Sequence, residues 1–329
     1  MTGQLLAGDA RVSSHEPGEQ PGWDLAEVTS GLRIARQRWR AAHHRHLEVG
    51  VDGFPSRQRI DAAVSHLCAA LFPQRLGEAH GETDEEAYIA QVLGRALDTL
   101  LGEVRLELRY WDTGNSIAFD DADAATILRH FAASLPDIRA LVDSDVEAAF
   151  QGDPAARSVD EILICYPGAL AVIHHRLAHR LHVLGAPLVA RIISELANSR
   201  TGIDIHPGAV IGPSFFIDHG TGVVIGETAI IGARVRLYQA VTLGARRLKA
   251  DGDDGVRRRF ARHPIIKDDV VIYAGATILG RITIGCESTI GGNVWLVQDV
   301  PPHSLVTQGD VQLRISRNAA GALDDVLAR

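Results

Sequence analysis

Two hydrophobic patterns divide the chain. Over residues 26–200 apolar side chains recur every three or four positions, as in Ile89, Val92 and Ala96. This spacing is typical of amphipathic helices and predicts an α-helical N-terminal domain. Residues 1–25 are polar and rich in Gly, Ser, Glu and Pro, so we expect them to be poorly ordered.

After residue 201 the aliphatic residues follow a six-residue step. Its members are Ile205, Ile211, Ile217 and Val223, then Ile225, Ile231, Leu237 and Leu243, then Ile266, Ile272, Ile278, Ile284, Ile290 and Leu296. A step of six fits neither a helix nor one long strand, but it is typical of a coil of short strands with one inward aliphatic residue each. We therefore predict a parallel β-helix over residues 201–305, and expect the helical part to cover one of its open ends.

The end of the coil is predicted at Val300-Pro301-Pro302-His303, because proline cannot continue a ladder of hydrogen bonds. A C-terminal tail over residues 306–329 follows, in which Ala319–Leu327 is compatible with a short helix. Residues 245–261 interrupt the repeat with a basic loop insert. This insert is either a solvated loop or a flap over an anionic ligand, since phosphates favour arginine.

Composition narrows the function. The net charge of −8 does not indicate a nucleic-acid surface, and the three cysteines lie too far apart for a zinc knuckle. We see no signal peptide and no apolar run long enough to span a bilayer, so a cytoplasmic location is expected, with neither membrane nor nucleic acid as partner.

Polar residues interrupt the repeat at three places, Asp204–His206, Asp218–His219 and Arg262–His263. An imidazole titrates near neutral pH and can take a proton from an alcohol, while a carboxylate at its other nitrogen fixes the tautomer. His219 is the strongest candidate base, and Asp204 and Asp218 are both candidates for the orienting carboxylate. His206 is interpreted as structural.

These segments resemble the serine O-acetyltransferases of bacteria and plants, a family of hexapeptide-repeat acyltransferases. The resemblance covers about residues 150–305 and is carried by Thr201–Ala209, Ile217–Thr228, Gln239–Gly244, Arg262–Pro264 and Ala274–Gly280. It implies an α+β chain in which the helical domain precedes a left-handed β-helix. It also implies direct transfer of an acetyl group from acetyl-CoA to the hydroxyl of L-serine, the first step of cysteine biosynthesis.

Roles for single residues follow from the resemblance. His219 is implied as the general base and Asp204 as the residue that orients it. The resemblance assigns the serine ammonium to Asp153 and Asp218, the serine carboxylate to Arg262 and His263, and acetyl-CoA contacts to Gly244 and Ala274. No acyl-enzyme and no metal are expected, and Cys286 is interpreted as structural.

The resemblance also implies a homotrimer, or a dimer of trimers, with active sites between subunits. The chain ends in Leu327-Ala328-Arg329 rather than in the isoleucine with which many members bind O-acetylserine sulfhydrylase, so we expect weak or absent binding to that partner. Ala245 replaces a glycine found in some members, which leaves the acetyl-CoA contacts there open.

Three other functions compete with this interpretation. A hexapeptide acetyltransferase could act on the hydroxyl of a sugar or an antibiotic, but such a site would lack the residues that suit a zwitterion. A zinc enzyme of the γ-carbonic anhydrase type needs a closely spaced histidine pair, which His206, His219 and His263 do not provide. A scaffold without activity would not need to keep every polar residue of the motifs.

Overall fold

The computed structural model describes residues 24–42, 53–78, 84–112, 121–246 and 260–309. Its helices are α1 (Leu25–Ala42), α2 (Arg57–Leu71), α3 (Pro73–Leu76), α4 (Glu85–Asp112), α5 (Asp121–Ala133), α6 (Leu135–Gly152), α7 (Val159–Cys165), α8 (Pro167–Val183) and α9 (Pro187–Thr201). Helix α1 belongs to a separate unit of the chain, residues 1–51, and residues 52–329 form the second unit. None of the described helices is both long and apolar enough to cross a membrane.

The helical domain of the second unit has one main core and a small separate apolar cluster of Ala69, Tyr88 and Val92. Helix α2 packs on α4, and α8 packs on α9. The apolar stripe predicted for α4 lies inside, with Ala96 and Leu100 fully buried. Ser56 caps the N-terminus of α2, because its side-chain oxygen accepts a hydrogen bond from the Arg59 amide, and Gly202 caps the C-terminus of α9 in a left-handed conformation.

Fourteen short strands follow in the described part of the chain. They are β1 (Asp204–Ile205), β2 (Val210–Ile211), β3 (Phe216–Ile217), β4 (Val224–Ile225), β5 (Ile230–Ile231), β6 (Arg236–Leu237), β7 (Thr242–Gly244), β8 (Ile265–Ile266), β9 (Val271–Ile272), β10 (Thr277–Leu279), β11 (Thr283–Ile284), β12 (Thr289–Ile290), β13 (Trp295–Leu296) and β14 (Leu305–Val306). All pairings between them are parallel.

The strands form three flat sheets, one on each side of a coil. Sheet A has the order β1-β4-β7-β10-β13, sheet B the order β2-β5-β8-β11, and sheet C the order β3-β6-β9-β12-β14. The predicted fold, a helical domain followed by a left-handed parallel β-helix, is confirmed.

The inside of the coil differs in detail from the prediction. Each side contributes two inward residues, because a small residue such as Ala229 or Val241 precedes the inward Ile or Leu of the strand. Val223 is buried, but it is the small residue of its side, equivalent to Val241, and the register restarts at Ile225. The six-residue step from Ile217 to Val223 was therefore a coincidence of spacing.

The predicted end of the coil was also one strand too early. The Pro301-Pro302 turn closes a corner, and β14 then pairs with β12 through Thr289 and Leu305. The prolines are tolerated because they lie in the turn and not in a strand. The predictions for residues 1–23, for residues 247–259 of the insert and for a helix at Ala319–Leu327 lie outside the described residues.

Helix α8 covers the open end of the coil, as predicted for the helical domain. Ala171 and Val172 join the hydrophobic core of the coil. Gly168 lies so close to β3 that a side chain there would place its Cβ atom 2.1 Å from the carbonyl oxygen of Ile217. Glycine is thus required for this contact, because the obstructing atom is backbone.

A buried ion pair fixes this contact. Arg176 of α8 and Asp145 of α6 pair at 3.0 Å, and their side chains are only 5% and 6% exposed. The Arg176 guanidinium also donates to the carbonyls of Ile211 and Gly212, while Asp145 accepts from the Phe215 amide at 2.8 Å. The first turn of the coil has no neighbour below it, so the pair supplies hydrogen-bond partners that a further turn would provide.

We expect Arg176→Met to lower the free energy of unfolding by about 3–5 kcal/mol, because it leaves the buried Asp145 carboxylate without its opposite charge and the carbonyls of Ile211 and Gly212 without their donor. Chemical denaturation measures this loss. The exposed pair between Arg75 and Asp160 is the control, and Arg75→Met should leave the unfolding midpoint nearly unchanged. Equal effects of the two substitutions would contradict a structural role for the buried pair.

Candidate active site

A longer turn places His219 outside the coil. The corner that joins sheet C to sheet A has six residues between β3 and β4 (218–223), but four at each later turn (238–241, 273–276 and 291–294). His219 lies in the extra length with φ 58°, and its side chain is 72% exposed. We call this edge, with its stacked turns, the His219 corner.

Two carboxylates accompany His219 at this corner. Oδ1 of Asp218 lies 3.8 Å from the His219 Nε2 atom, and Oδ2 of Asp218 accepts a hydrogen bond from Arg236 at 2.9 Å. Asp153, at the end of α6, accepts from the Tyr166 hydroxyl at 2.5 Å and from the Ala155 amide at 2.9 Å. The structure therefore brings together His219, Asp218 and Asp153 from segments far apart in sequence.

Hydrogen bonds keep Asp153 ionised. Donation by the Tyr166 hydroxyl, helped by the Ala155 amide and by the charges of Arg236 and His219, holds the pKa of the Asp153 carboxyl below its ordinary value. The same bond raises the pKa of Tyr166 to about 12. This carboxylate is therefore an anion near neutral pH and can bind a cationic group.

Two tyrosine rings from the next two turns of the coil stack at the His219 corner. Tyr238 and Tyr273 stack with their ring centroids 4.9 Å apart, and the Arg236 guanidinium lies 4.7 Å from the centroid of Tyr238. Sequence reasoning missed Arg236 and Tyr166. Arg236 is the outward residue of β6 and is paired in register with Phe216, so only the strand pairing shows that it reaches Asp218.

Arg262 and His263 lie on a different edge, where sheet A joins sheet B. Thr228 holds both residues, since its hydroxyl oxygen accepts from the Arg262 amide at 2.8 Å and from the His263 amide at 3.1 Å. The Arg262 guanidinium pairs with Glu227 at 2.5 Å, and its Nη1 atom is buried without a hydrogen-bond partner among the described residues. We call this edge the His263 corner.

The His263 ring is packed against the backbone. Its Nδ1 atom accepts from the Thr228 amide at 3.1 Å, which leaves the proton of the neutral ring on Nε2. Burial, and the positive charge of Arg262, lower the pKa of His263. A Cβ atom on Gly226 would lie 2.0 Å from the ring, so the ring needs glycine beneath it.

The two corners are opposite edges of sheet A. One side of the coil is about six residues of extended chain, which separates the corners by roughly 15–20 Å. The structure therefore brings Asp153, Asp218 and His219 together, but it does not bring Arg262 and His263 to them within one chain. The candidate acetyl-CoA residues are divided in the same way, with Ala274 at the His219 corner and Gly244 at the His263 corner.

Asp204 lies on the outer surface of sheet A. It is the first residue of β1, and its nearest ion-pair partner is Arg191 at 3.9 Å. Burial raises the pKa of its carboxyl, against the opposing charge of Arg191. No hydrogen bond or ion pair joins Asp204 to His219 among the described residues, so its orienting role stays a prediction and Asp218 is the nearer carboxylate.

His206 stabilises a turn of the His263 corner. Its Nδ1 atom accepts a hydrogen bond from the Gly208 amide at 3.0 Å, and burial lowers the pKa of His206 to about 4. These contacts agree with its interpretation as a structural residue. His206 and His219 lie at different corners, so the three histidines of the repeat do not converge on one point of this chain.

Comparisons with curated proteins and with solved structures point to the same family. No family model matches the chain. The curated protein "Serine acetyltransferase, plasmid" of Synechococcus elongatus is 51% identical over 298 residues, which are 88% of this chain and 92% of that protein. The serine acetyltransferase of Mycobacterium tuberculosis is 51% identical over 162 residues, 49% of this chain and 67% of its own length.

Solved structures resemble the chain as well. Serine acetyltransferase 1 of Entamoeba histolytica in complex with L-cysteine has a TM-score of 0.67 at 38% identity, covering 75% of this chain and 86% of its own. Isoform 3 from the same organism, in complex with cysteine, has a TM-score of 0.66 at 36% identity, and the match covers 81% of this chain and 86% of the isoform. The serine acetyltransferase of Neisseria gonorrhoeae in complex with serine has a TM-score of 0.50 at 29% identity, and the match covers 77% of this chain and 96% of that one.

We expect Gly226→Ala to push the His263 ring away from the backbone and so raise its pKa toward the ordinary value of about 6.5. An NMR titration of the ring, assigned with His263→Gln, measures this shift. Gly94→Ala in α4 is the control, because an added Cβ atom there meets nothing within 4 Å. An unchanged titration of His263 in Gly226→Ala would show that the ring does not depend on this contact.

Proposed function

Since this chain belongs to the serine acetyltransferase family and transfers acetyl from acetyl-CoA to L-serine, we propose that His219 is its general base, in a site that two neighbouring subunits complete. The observation that carries the proposal is the kind of charged group at each corner. The His219 corner presents two carboxylates, Asp153 and Asp218, the second of which is paired with Arg236. The His263 corner presents the Arg262 guanidinium, which Glu227 pairs with and holds in place.

Serine is a zwitterion and matches these charges. In the proposal its ammonium group binds Asp153 and Asp218, and its carboxylate binds Arg262 and His263. The unpaired Nη1 atom of Arg262 supports this role, because a buried guanidinium N–H needs an acceptor that a carboxylate would provide. The same arrangement disfavours a sugar or antibiotic acceptor, which offers no such pair of charges.

The reaction then needs one proton transfer and one attack. His219 takes the proton of the serine hydroxyl, and the serine oxygen attacks the thioester carbonyl of acetyl-CoA. The C–S bond breaks, and the departing CoA thiolate takes the proton back from the imidazolium. A carboxylate keeps the imidazole oriented. We retain Asp204 for this role, and Asp218 is the alternative, supported by its 3.8 Å separation from His219.

Acetyl-CoA would lie along sheet A, between the corners of two subunits. Ala274 and Gly244 are half-buried, and a Cβ atom on Gly244 would come within 2.8 Å of Leu279. Small residues at both positions leave room for an extended thioester arm close to the backbone. The insert 245–261 follows Gly244 in the sequence and carries several arginines, a residue type that suits the phosphates of the co-substrate.

The division of the site between corners supports an oligomer. A single chain cannot bring Arg262 to serine held at His219, so the proposal needs the His263 corner of a neighbouring chain, as in the predicted homotrimer. A homotrimer or a dimer of trimers, and a cytoplasmic location, remain parts of the proposal that rest on the sequence.

We expect His219→Ala to lower kcat with L-serine by about 10²–10⁴-fold, since it removes the base and leaves binding in place. Release of free CoA measures turnover, and acetyl-CoA binding by calorimetry should be nearly unchanged. His130→Ala is the control, because His130 is an exposed residue in the last turn of α5. Near-normal turnover of His219→Ala would overturn the assignment of the base.

A further inference from the structure

The third edge of the coil carries a cluster that acetyl transfer does not use. It joins sheet B to sheet C, and we call it the Cys286 corner. Cys286 and Glu287 lie in the turn between β11 and β12, and His303 lies in the stacked turn before β14. This edge is separate from the His219 and His263 corners, so nothing in the cluster belongs to the site described above.

The three side chains are close enough to share one ion. The Cys286 sulfur, a Glu287 carboxylate oxygen and a His303 ring nitrogen all lie within 4.8 Å of one another. The His303 Nδ1 atom is 3.3 Å from Glu287 Oε2. Among the described residues, this is the one group of three or more His, Cys, Asp or Glu side chains that meets this distance condition.

The backbone holds the cluster in this arrangement. The His303 amide donates to the Cys286 carbonyl at 2.8 Å, and the Glu287 amide donates to the Asp268 carbonyl at 3.0 Å. Glu287 and His303 have φ angles of 55° and 58°, so both occupy the left-handed position of their turns. Stacked turns about 4.8 Å apart therefore project the two side chains in the same direction.

We propose that Cys286, Glu287 and His303 bind one divalent transition-metal ion, with zinc as the preferred occupant. A thiolate, an imidazole and a carboxylate are the three protein ligand types of zinc, and the sulfur excludes magnesium and calcium as preferred ions. Zinc bonds of about 2.0–2.3 Å place tetrahedral ligand atoms about 3.3–3.8 Å apart. The separation of His303 and Glu287 already fits, and rotation of these exposed side chains brings both toward the sulfur.

Binding replaces the thiol proton of Cys286, which leaves to solvent. Cys286 also lines a groove of about 710 Å³, together with Asp268 and Asp299. In the proposal, water or a small anion completes the coordination. The ion would connect the Pro301-Pro302 turn to the turn below it. It would thereby stabilise the last described strand of the coil, β14, which pairs with β12 alone.

The competing explanation is a plain ion pair between Glu287 and His303, with Cys286 as a bystander. Exposed pairs of this kind contribute little to stability. The two explanations differ in whether the sulfur takes part, so the test must detect the thiolate.

Cobalt(II) is the probe, because a thiolate ligand gives Co²⁺ an intense charge-transfer band in the near ultraviolet. We expect the full chain, freed of metal with a chelator, to develop this band with one equivalent of Co²⁺ and to lose it when Zn²⁺ is added. Cys286→Ser should abolish the band, and His303→Asn and Glu287→Gln should each weaken cobalt binding at least about tenfold. Cys165→Ser, which removes an exposed cysteine elsewhere, should leave the band unchanged.

Thermal unfolding gives a second measurement, which uses zinc itself and not the cobalt probe. Zinc should raise the unfolding temperature of the full chain and of Cys165→Ser, should raise that of Glu287→Gln much less, and should not raise that of Cys286→Ser. The nearly isosteric Glu287→Gln guards against loss of folding in the other variants. Absence of the band, its persistence in Cys286→Ser, or an equal effect of zinc on all variants would overturn the proposal.

Discussion

Closure of the coil into three flat sides is the constraint on which the rest of the structure depends. The side of each residue follows from its place in a six-residue step, and residues one turn apart stack in register, as Val224 does on Asp204. The inward side chains form one continuous hydrophobic core along the coil. Chemistry is therefore restricted to the outer surface and the three corners, and each corner can hold a different group of residues.

Departures from the regular step create the site. The two extra residues of the turn 218–223 lift His219 off the coil, while Arg262 and His263 lie at the opposite edge of sheet A, just before β8. Both segments are held by specific partners, Arg236 beneath Asp218 and Thr228 beneath His263. The imidazole of His219 is thus exposed and that of His263 is buried. This difference suits a base at the His219 corner and a binding residue at the His263 corner.

The sequence predicts the coil well because each side of the three-sided coil takes about six residues, so that an inward aliphatic residue recurs at every sixth position. The site was predicted only in part. His219, Asp218 and Asp153 could be singled out by motif, and they do meet. Arg236 and Tyr166 were missed because their contacts depend on which turns stack and on where α8 begins. The end of the coil was predicted too early, at Val300–His303, because proline interrupts a strand but is tolerated in a turn.

The central claim is that serine is held between the His219 corner of one subunit and the His263 corner of the next. The most direct test mixes two inactive chains, His219→Ala and Arg262→Ala, by co-refolding in equal amounts. Random assembly into trimers gives about one site in four with both corners intact, so about a quarter of the normal activity should return. If the mixture is as inactive as its two components, each site lies within one chain and the account is wrong.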